Sequence, residues 1–191
     1  NIDQGDLSHG ALSNHFLIAM PSLNDSLFAH TVTLICEHSD EGAMGIVVNS
    51  PLALSLDEVF SQMELPSNAL IGHQAVLSGG PVQVERGFVL HRKGQVWDST
   101  MSISDDISLT VSKDVISAMA EAKGPRNAVM ALGYAGWGAG QLEAEIADNA
   151  WLTLPADSAI IFDTPCEQRW SKAAESLGID LNLISTSAGH A

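Results

Sequence analysis

Four strand-like segments follow one another in the middle of this chain, at Ala75–Ser78, 87–91, 101–104 and Ile107–Thr110, with no helix-length apolar period between them. Earlier strand patterns stand at His15–Ala19, 31–37 and 43–49. The last two flank the polar loop Ser39-Asp40-Glu41-Gly42, which predicts an antiparallel hairpin. Such a succession argues against a doubly wound sheet, in which strand and helix alternate. The expected class is α+β: one domain on a mixed, mostly antiparallel sheet, flanked by about four helices.

The helices carry their own signals. Ser55-Leu56-Asp57-Glu58 is a capping box, Leu54 and Val59 are placed as a hydrophobic staple, and Leu56, Val59, Phe60 and Met63 share one face, with Pro66 just beyond. A second helix is expected over 113–122, with Ser112 as its cap and Lys123-Gly124-Pro125 as its stop. After a buried strand at 127–132, the glycine-rich stretch 133–140 predicts a turn into a short helix over 141–149. Two more strands are expected, the second ending at Asp163. The last helix then opens on the capping box Thr164-Pro165-Cys166-Glu167, with Pro165 at its first position, and stops at Gly178. No linker, repeat or low-complexity tract divides the chain. Residues 13–191 are expected as one domain, and the polar residues 1–12 as a flexible tail or a remnant foreign to the fold.

With 191 residues the chain can bury a substantial core, and aromatics at only 5% leave that core to Leu, Ile, Val, Ala and Met. Eight basic residues against 23 acidic ones give a formal charge of -15, which repels phosphate backbones and anionic membranes and favours basic partners. No apolar run approaches the roughly 20 residues of a membrane helix, and residues 1–10 lack a signal peptide's basic and apolar regions. A cytoplasmic protein without a membrane partner is expected. Two cysteines, neither in a CxxC pair, indicate neither a zinc site nor a disulfide framework. Cys36 fits a small core residue. Cys166 would stand near a helix N-terminus, where backbone amides can lower a thiol pKa against the opposing effect of Glu167.

The candidate binding groups lie in two glycine-rich segments and the helix after the second. A glycine turn between strand and helix can hold an anion on its amides. Yet the spacing from Gly133 through Tyr134, Trp137 and Gly138 to Gly140 is neither GxGxxG nor GxxxxGK[ST], and the block has no Lys or Arg. On the next helix Gln141, Glu145 and Asp148 share one face, as Leu142, Ile146 and Ala150 share another, so paired carboxylates could serve as acid and base or simply be solvated. Gly79 and Gly80 follow a strand ending at Ser78, but no G-x-S-x-G elbow makes Ser78 a nucleophile, and nothing brings His15, His73 or His91 to it. Arg86, one of four arginines, is expected to form an ion pair with Glu145 or Asp148, or else to capture a ligand carboxylate. Glu37 and His38 are strand neighbours on opposite faces and cannot grip one metal ion, so neither metal nor cofactor is expected.

NHFLIAMPSL at 14–23, LSGGPVQVERGFVLH at 77–91 and ALGYAGWGAGQLEAEIADNAW at 131–151 closely resemble the bacterial YqgE/AlgH family. CEHSDEGAMGIVVN at 36–49, SKDV at 112–115 and the terminal AGHA at 188–191 extend the resemblance in order over nearly all of the chain. It implies a one-domain α+β protein with a partly barrel-like sheet and transfers no catalytic set. The AlgH name belongs to a regulator of alginate synthesis. That label would suggest contact with DNA, but there is no helix-turn-helix signature, and the charge argues against phosphates. The expectation is a regulatory protein without enzymatic activity that binds a protein partner or small ligand at the two glycine turns. A hydrolase or transferase using Glu145, Asp148 or a histidine with glycine-turn amides is the alternative. A nucleic-acid-binding transcriptional regulator is a third reading, disfavoured by charge.

Overall fold

Ten strands, β1 (His15–Ala19), β2 (Val32–Ser39), β3 (Gly42–Val47), β4 (Pro51–Ser55), β5 (Ala75–Ser78), β6 (Val82–Arg92), β7 (Thr100–Ser102), β8 (Ile107–Thr110), β9 (Val129–Gly138) and β10 (Trp151–Pro155), form the framework of the computed structural model, which describes residues 12–19 and 30–178. Its helices are α1 (Leu56–Gln62), α2 (Asp114–Ala120), α3 (Gln141–Ala147), α4 (Ser158–Phe162) and α5 (Arg169–Ser176). Eight strands pair in the order β10-β1-β2-β3-β9-β6-β8-β7, antiparallel at every step, and curl into a half-barrel. β5 lies parallel to β9, with Leu77 beside Ala131, and takes β4 on its other edge. β9 therefore serves three partners. Residues 135–138 pair with β3, 131–132 with β5, and 129–134 with β6 on the opposite edge. The single α+β domain with a mixed, mostly antiparallel sheet is the one the run of strands requires.

Strand alternation divides the apolar residues between the two faces of the curl. Phe16, Ile18, Leu34, Phe88, Leu90, Val129 and Ala131 point inward and pack together. Their neighbours point outward in two groups: Val89 and Met130 under α1 and α2, and Leu17 and Ile35 under α3. α4 and α5 bring Ile160, Ile161 and Ala173 into the interior cluster. At that end Arg92, the last residue of β6, donates to Ser158 Oγ at 2.8 Å and to Asp163 Oδ2 at 2.8 Å, which fastens α4 to the sheet. Each large side chain sealed in this way contributes about 1.5–3 kcal/mol.

Local signals were followed in some places and overridden in others. α1 forms as its capping box predicts, with Ser55 Oγ accepting the Glu58 N–H at 3.2 Å and Leu54 and Val59 joining the same outer cluster. The stretch expected as a glycine turn is instead mostly strand. β9 continues to Gly138 because β3 offers an equally bare partner: a Cβ on Gly42 would lie 2.2 Å from Trp137 O. Only Gly140, with φ +73, works as the cap of α3. The strand expected to end at Asp163 is the helix α4. Its N-cap Asp157 accepts the Ala159 N–H at 3.0 Å, and a short apolar run cannot by itself separate strand from helix.

The capping box at Thr164 does not form. Thr164 Oγ1 donates to Ala159 O at 3.0 Å, Pro165 is extended at ψ 144°, and a 3₁₀ turn at Cys166–Gln168 precedes α5. Ser112 likewise spends its hydroxyl on Asp114 Oδ1 at 2.5 Å, so α2 begins without a side-chain cap. Residues 1–11, most of the expected tail, and the terminal AGHA block lie outside the described residues. Leu12 is buried against the cluster beneath α3.

Candidate functional site

Two irregular strands shape the open end of the half-barrel. Val82 lies opposite Tyr134 and Gly87 opposite Leu132, so five steps along β6 pass only two along β9. Residues 83–86 must leave the ladder; they are exposed, with Gln83 turning the chain at φ +47. On β9, Gly133 at φ +78 resets the alternation. Met130 and Leu132 face α1 and α2, Ala135 and Trp137 face α3, and Tyr134 packs against the interior cluster. The Gly79-Gly80 turn abuts the same point. A Cβ on Gly80 would stand 2.1 Å from the Tyr134 carbonyl carbon, and one on Gly133 would stand 2.5 Å from Gly80 O. The two glycine segments therefore meet, main chain against main chain. The Gly79 amide is already spent on Leu132 O at 2.8 Å, so it is not an oxyanion donor.

The result is a groove of about 1130 Å³ that continues the barrel interior to solvent. Its floor holds Phe88 and Tyr134, edge to face with centroids 5.9 Å apart. The β2–β3 hairpin contributes Glu37, Glu41 and Met44 to the lining, the chain entering β7 contributes Asp98, and β7 contributes Met101. Arg86 lies over the Phe88 ring at 5.4 Å, and its Nη1 reaches Gln83 Oε1 at 3.4 Å. Its expected ion pair with Glu145 or Asp148 is not made, because Arg86 lines the groove while α3 packs on the opposite face of the sheet.

A bulge in β2 sorts the next residues. Ile35 opposes Gly45 and Glu37 opposes Met44, so Cys36 is the extra residue. Glu37 turns to the groove beside Met44, and His38, opposite Ala43, turns to α3, as expected of strand neighbours. His38 Nδ1 accepts the Leu12 N–H at 3.3 Å; Nε2 therefore carries the proton and donates to the Glu143 carboxylate. That imidazole is fully enclosed, with both nitrogens engaged. Among the described residues no group of three His, Cys, Asp or Glu could hold a metal ion.

The face of α3 predicted from sequence is built, but it is not in the groove. Glu145 Oε1 accepts from the indoles of Trp137 at 3.2 Å and Trp151 at 2.9 Å, and its Oε2 accepts from Gln141 Nε2 at 3.0 Å. Gln141 Oε1 holds the Gly138 N–H at 3.0 Å. The two rings pack edge to face at 6.2 Å, so Trp137 is a core residue and Glu145 the acceptor that satisfies it. Asp148 is the exposed C-cap of α3.

Among the described residues no histidine bonds the Ser78 hydroxyl: His15 Nδ1 bonds Ser13 O at 3.0 Å, and His91 bonds Arg92 O and Thr110. At Cys166 burial pushes the thiol pKa up and outweighs Arg169, so the lowering that helix amides could supply is not what prevails. Cys36, fully enclosed, is pushed up more strongly by the same cause.

A second polar arrangement lies behind the β6–β8–β7 wall. His91 Nδ1 donates to Arg92 O at 2.9 Å, leaving Nε2 to accept from Thr110 Oγ1 at 2.8 Å. Thr110 Oγ1 then accepts from Thr100 Oγ1 at 2.8 Å, which accepts the Trp97 N–H at 2.8 Å. Burial lowers the His91 pKa and favours the neutral imidazole that this direction of bonding describes.

Of the residues nominated from sequence, the structure brings Arg86, Tyr134 and Trp137 to the lining of the groove, with Gly80 packed against the Tyr134 main chain. The Trp137 indole, with Gly138, Gly140, Gln141 and Glu145, is engaged on the other face of the sheet. Sequence reasoning weighed Glu37 only as a metal ligand and did not find Glu41, Phe88, Asp98 or Met101. No local signal marked them: Val82-Gln83-Val84-Glu85 alternates as an ordinary strand does, and Phe88-Val89-Leu90 is a continuous apolar run.

Fold and groove together define an α+β half-barrel closed by helices at one end and open at the other. The chain belongs to the AlgH-like family, whose pattern it matches over residues 16–182, and the family resemblance read from the sequence blocks is borne out. It is 56% identical to a UPF0301 protein of Saccharophagus degradans over 181 residues, 95% of this chain and 89% of that one. A UPF0301 protein of Nitrosococcus oceani is 50% identical, over 93% of this chain and 96% of that one. The solution structure of the AlgH protein from Pseudomonas aeruginosa matches with a TM-score of 0.78 at 50% identity, covering 94% of this chain and 96% of that one. A crystal structure of a protein from Corynebacterium diphtheriae, TM-score 0.73 over 93% of each chain, shares the fold at 21% identity.

Proposed function

We propose that this chain is a non-enzymatic binding protein of the cytoplasm, acting in regulation, whose site is the groove at the open end of the half-barrel. The observation that carries this reading is the convergence of Arg86, Phe88 and Tyr134 at the point where the two glycine segments meet. An apolar aromatic floor supplies binding energy, and a few polar groups above it set orientation, the usual composition of a ligand site. Catalysis is less well supported. His38 has both nitrogens engaged, and Glu145 is occupied by two indoles and an amide. The formal charge of -15 argues against nucleic acid as the occupant. No helix among the described residues is long and apolar enough to cross a membrane.

Tyr134 is the chain's single tyrosine, so incorporation of 3-fluorotyrosine places one ¹⁹F resonance on the groove floor. Titration with a panel of metabolites and short peptides is expected to move that resonance for at least one class of compound, and Arg86→Ala is expected to change the affinity. A panel that binds the protein without moving the Tyr134 signal would place the site elsewhere. Turnover of any bound compound would reject the non-enzymatic reading.

A further inference from the structure

We infer that the groove receives an extended, basic segment of a partner protein, with apolar side chains on the floor and Lys or Arg side chains at the rim. This rests on the reading of the groove as the binding site. Three features select the occupant. The first is size: about 1130 Å³, open to solvent, lies at or beyond the upper end of the roughly 300–1,000 Å³ usual for compact ligands and suits a length of chain. The second is charge. Glu37, Glu41 and Asp98 stand exposed around it, and none is paired with a basic side chain among the described residues. Arg86 is the single Lys or Arg in the lining and leaves the rim net negative. The third is the arrangement of polarity. The floor offers Phe88, Tyr134, Met44 and Met101, so apolar contact is central and charge peripheral, matching a segment in which Lys alternates with large apolar residues. Met and aromatic side chains are the types that adapt to such a segment. Arg86, with donors left beyond its contact to Gln83, faces the segment's main-chain carbonyls. The acidic rim steers a basic partner inward and rejects an acidic one, a matter of on-rate and specificity more than of area.

The test uses the full chain carrying 3-fluorotyrosine and three probes: a peptide alternating Lys with Phe and Leu, the same peptide with Glu in place of Lys, and dodecanoate as a small apolar anion. The Lys peptide is expected to move the Tyr134 resonance and bind most tightly. Neutralising the rim in the E37Q/E41Q/D98N variant is expected to weaken it about tenfold. Neutralising three exposed carboxylates outside the groove, in the E121Q/D148N/E167Q variant, is expected to leave its affinity unchanged. Equal weakening by both variants would reduce the effect to overall charge and overturn the inference. Tighter binding of the Glu peptide or dodecanoate, dependent on Arg86, would overturn it while leaving the groove as the site. No movement of the Tyr134 resonance with any probe would remove both.

Discussion

The two ends of the half-barrel interior begin from the same inward-facing surface and finish differently. At one end α4 and α5 insert Ile160, Ile161 and Ala173, Arg92 ties α4 to the sheet, and the core is sealed. At the other, Phe88 and Tyr134 continue the apolar surface with no helix among the described residues over them, and charged side chains border the gap. A fold that can seal one end by helix packing leaves the other unsealed through specific backbone devices: the β6 excursion over 83–86, the Gly133 reset of β9 and the β2 bulge at Cys36. The sealed end is where the interior carries stability, and the open end is where the proposed binding site lies.

The sharpest way to break this contrast is Gly80→Ala. Its Cβ would stand 2.1 Å from the Tyr134 carbonyl carbon, between main-chain segments that cannot give way like a side chain. A loss of about 3 kcal/mol or more is expected, read as a lowered urea midpoint, and a change below about 1 kcal/mol would show that the glycine junction does not hold the groove open. Next in size is a matched pair. Ile161→Ala at the sealed end should cost about 2–5 kcal/mol, whereas Met44→Ala, half-buried at the open end, should cost about 1 kcal/mol or less. Equal costs would mean that both ends are packed alike.

The smallest effect is a pH dependence on the outer face of the sheet, behind the β6–β8–β7 wall. The folded protein holds His91 neutral with its pKa lowered from 6.5, chiefly by burial, so the unfolded chain takes up the proton first as pH falls. Stability from this group is complete above pH 6.5 and is lost on the acid side, by less than about 1.4 kcal/mol per pH unit. His91→Gln should flatten the dependence of the urea midpoint below pH 6.5, and an unchanged slope would assign it to other groups.

Much of the fold was legible because local signal and tertiary demand agree. The strands at His15–Ala19 and Ile107–Thr110 and the box at Ser55 are stated by alternation and capping, and packing only confirms them. Where the two diverge, packing decided. Gly136 and Gly138 look like turn residues until β3, bearing Gly42 and Gly45, is set beside them. Ser112 and Thr164 look like caps, but each hydroxyl finds another acceptor. The site was legible only in fragments. Arg86 and Tyr134 stand out by residue type, while Glu37, Phe88 and Asp98 become neighbours only through two bulges and a partner-switching strand.

That strand also sets a timetable. β9 emerges after β3, β5 and β6, and it is the seam to which all three attach, while β1 waits longer still for β10, with His15 paired to Pro155. A chain growing from its N-terminus must hold several unpaired strand edges until residues 129–155 arrive, a topology of long-range closures that folds slowly and exposes those edges meanwhile. The last strands made are thus the ones on which the rest of the sheet depends.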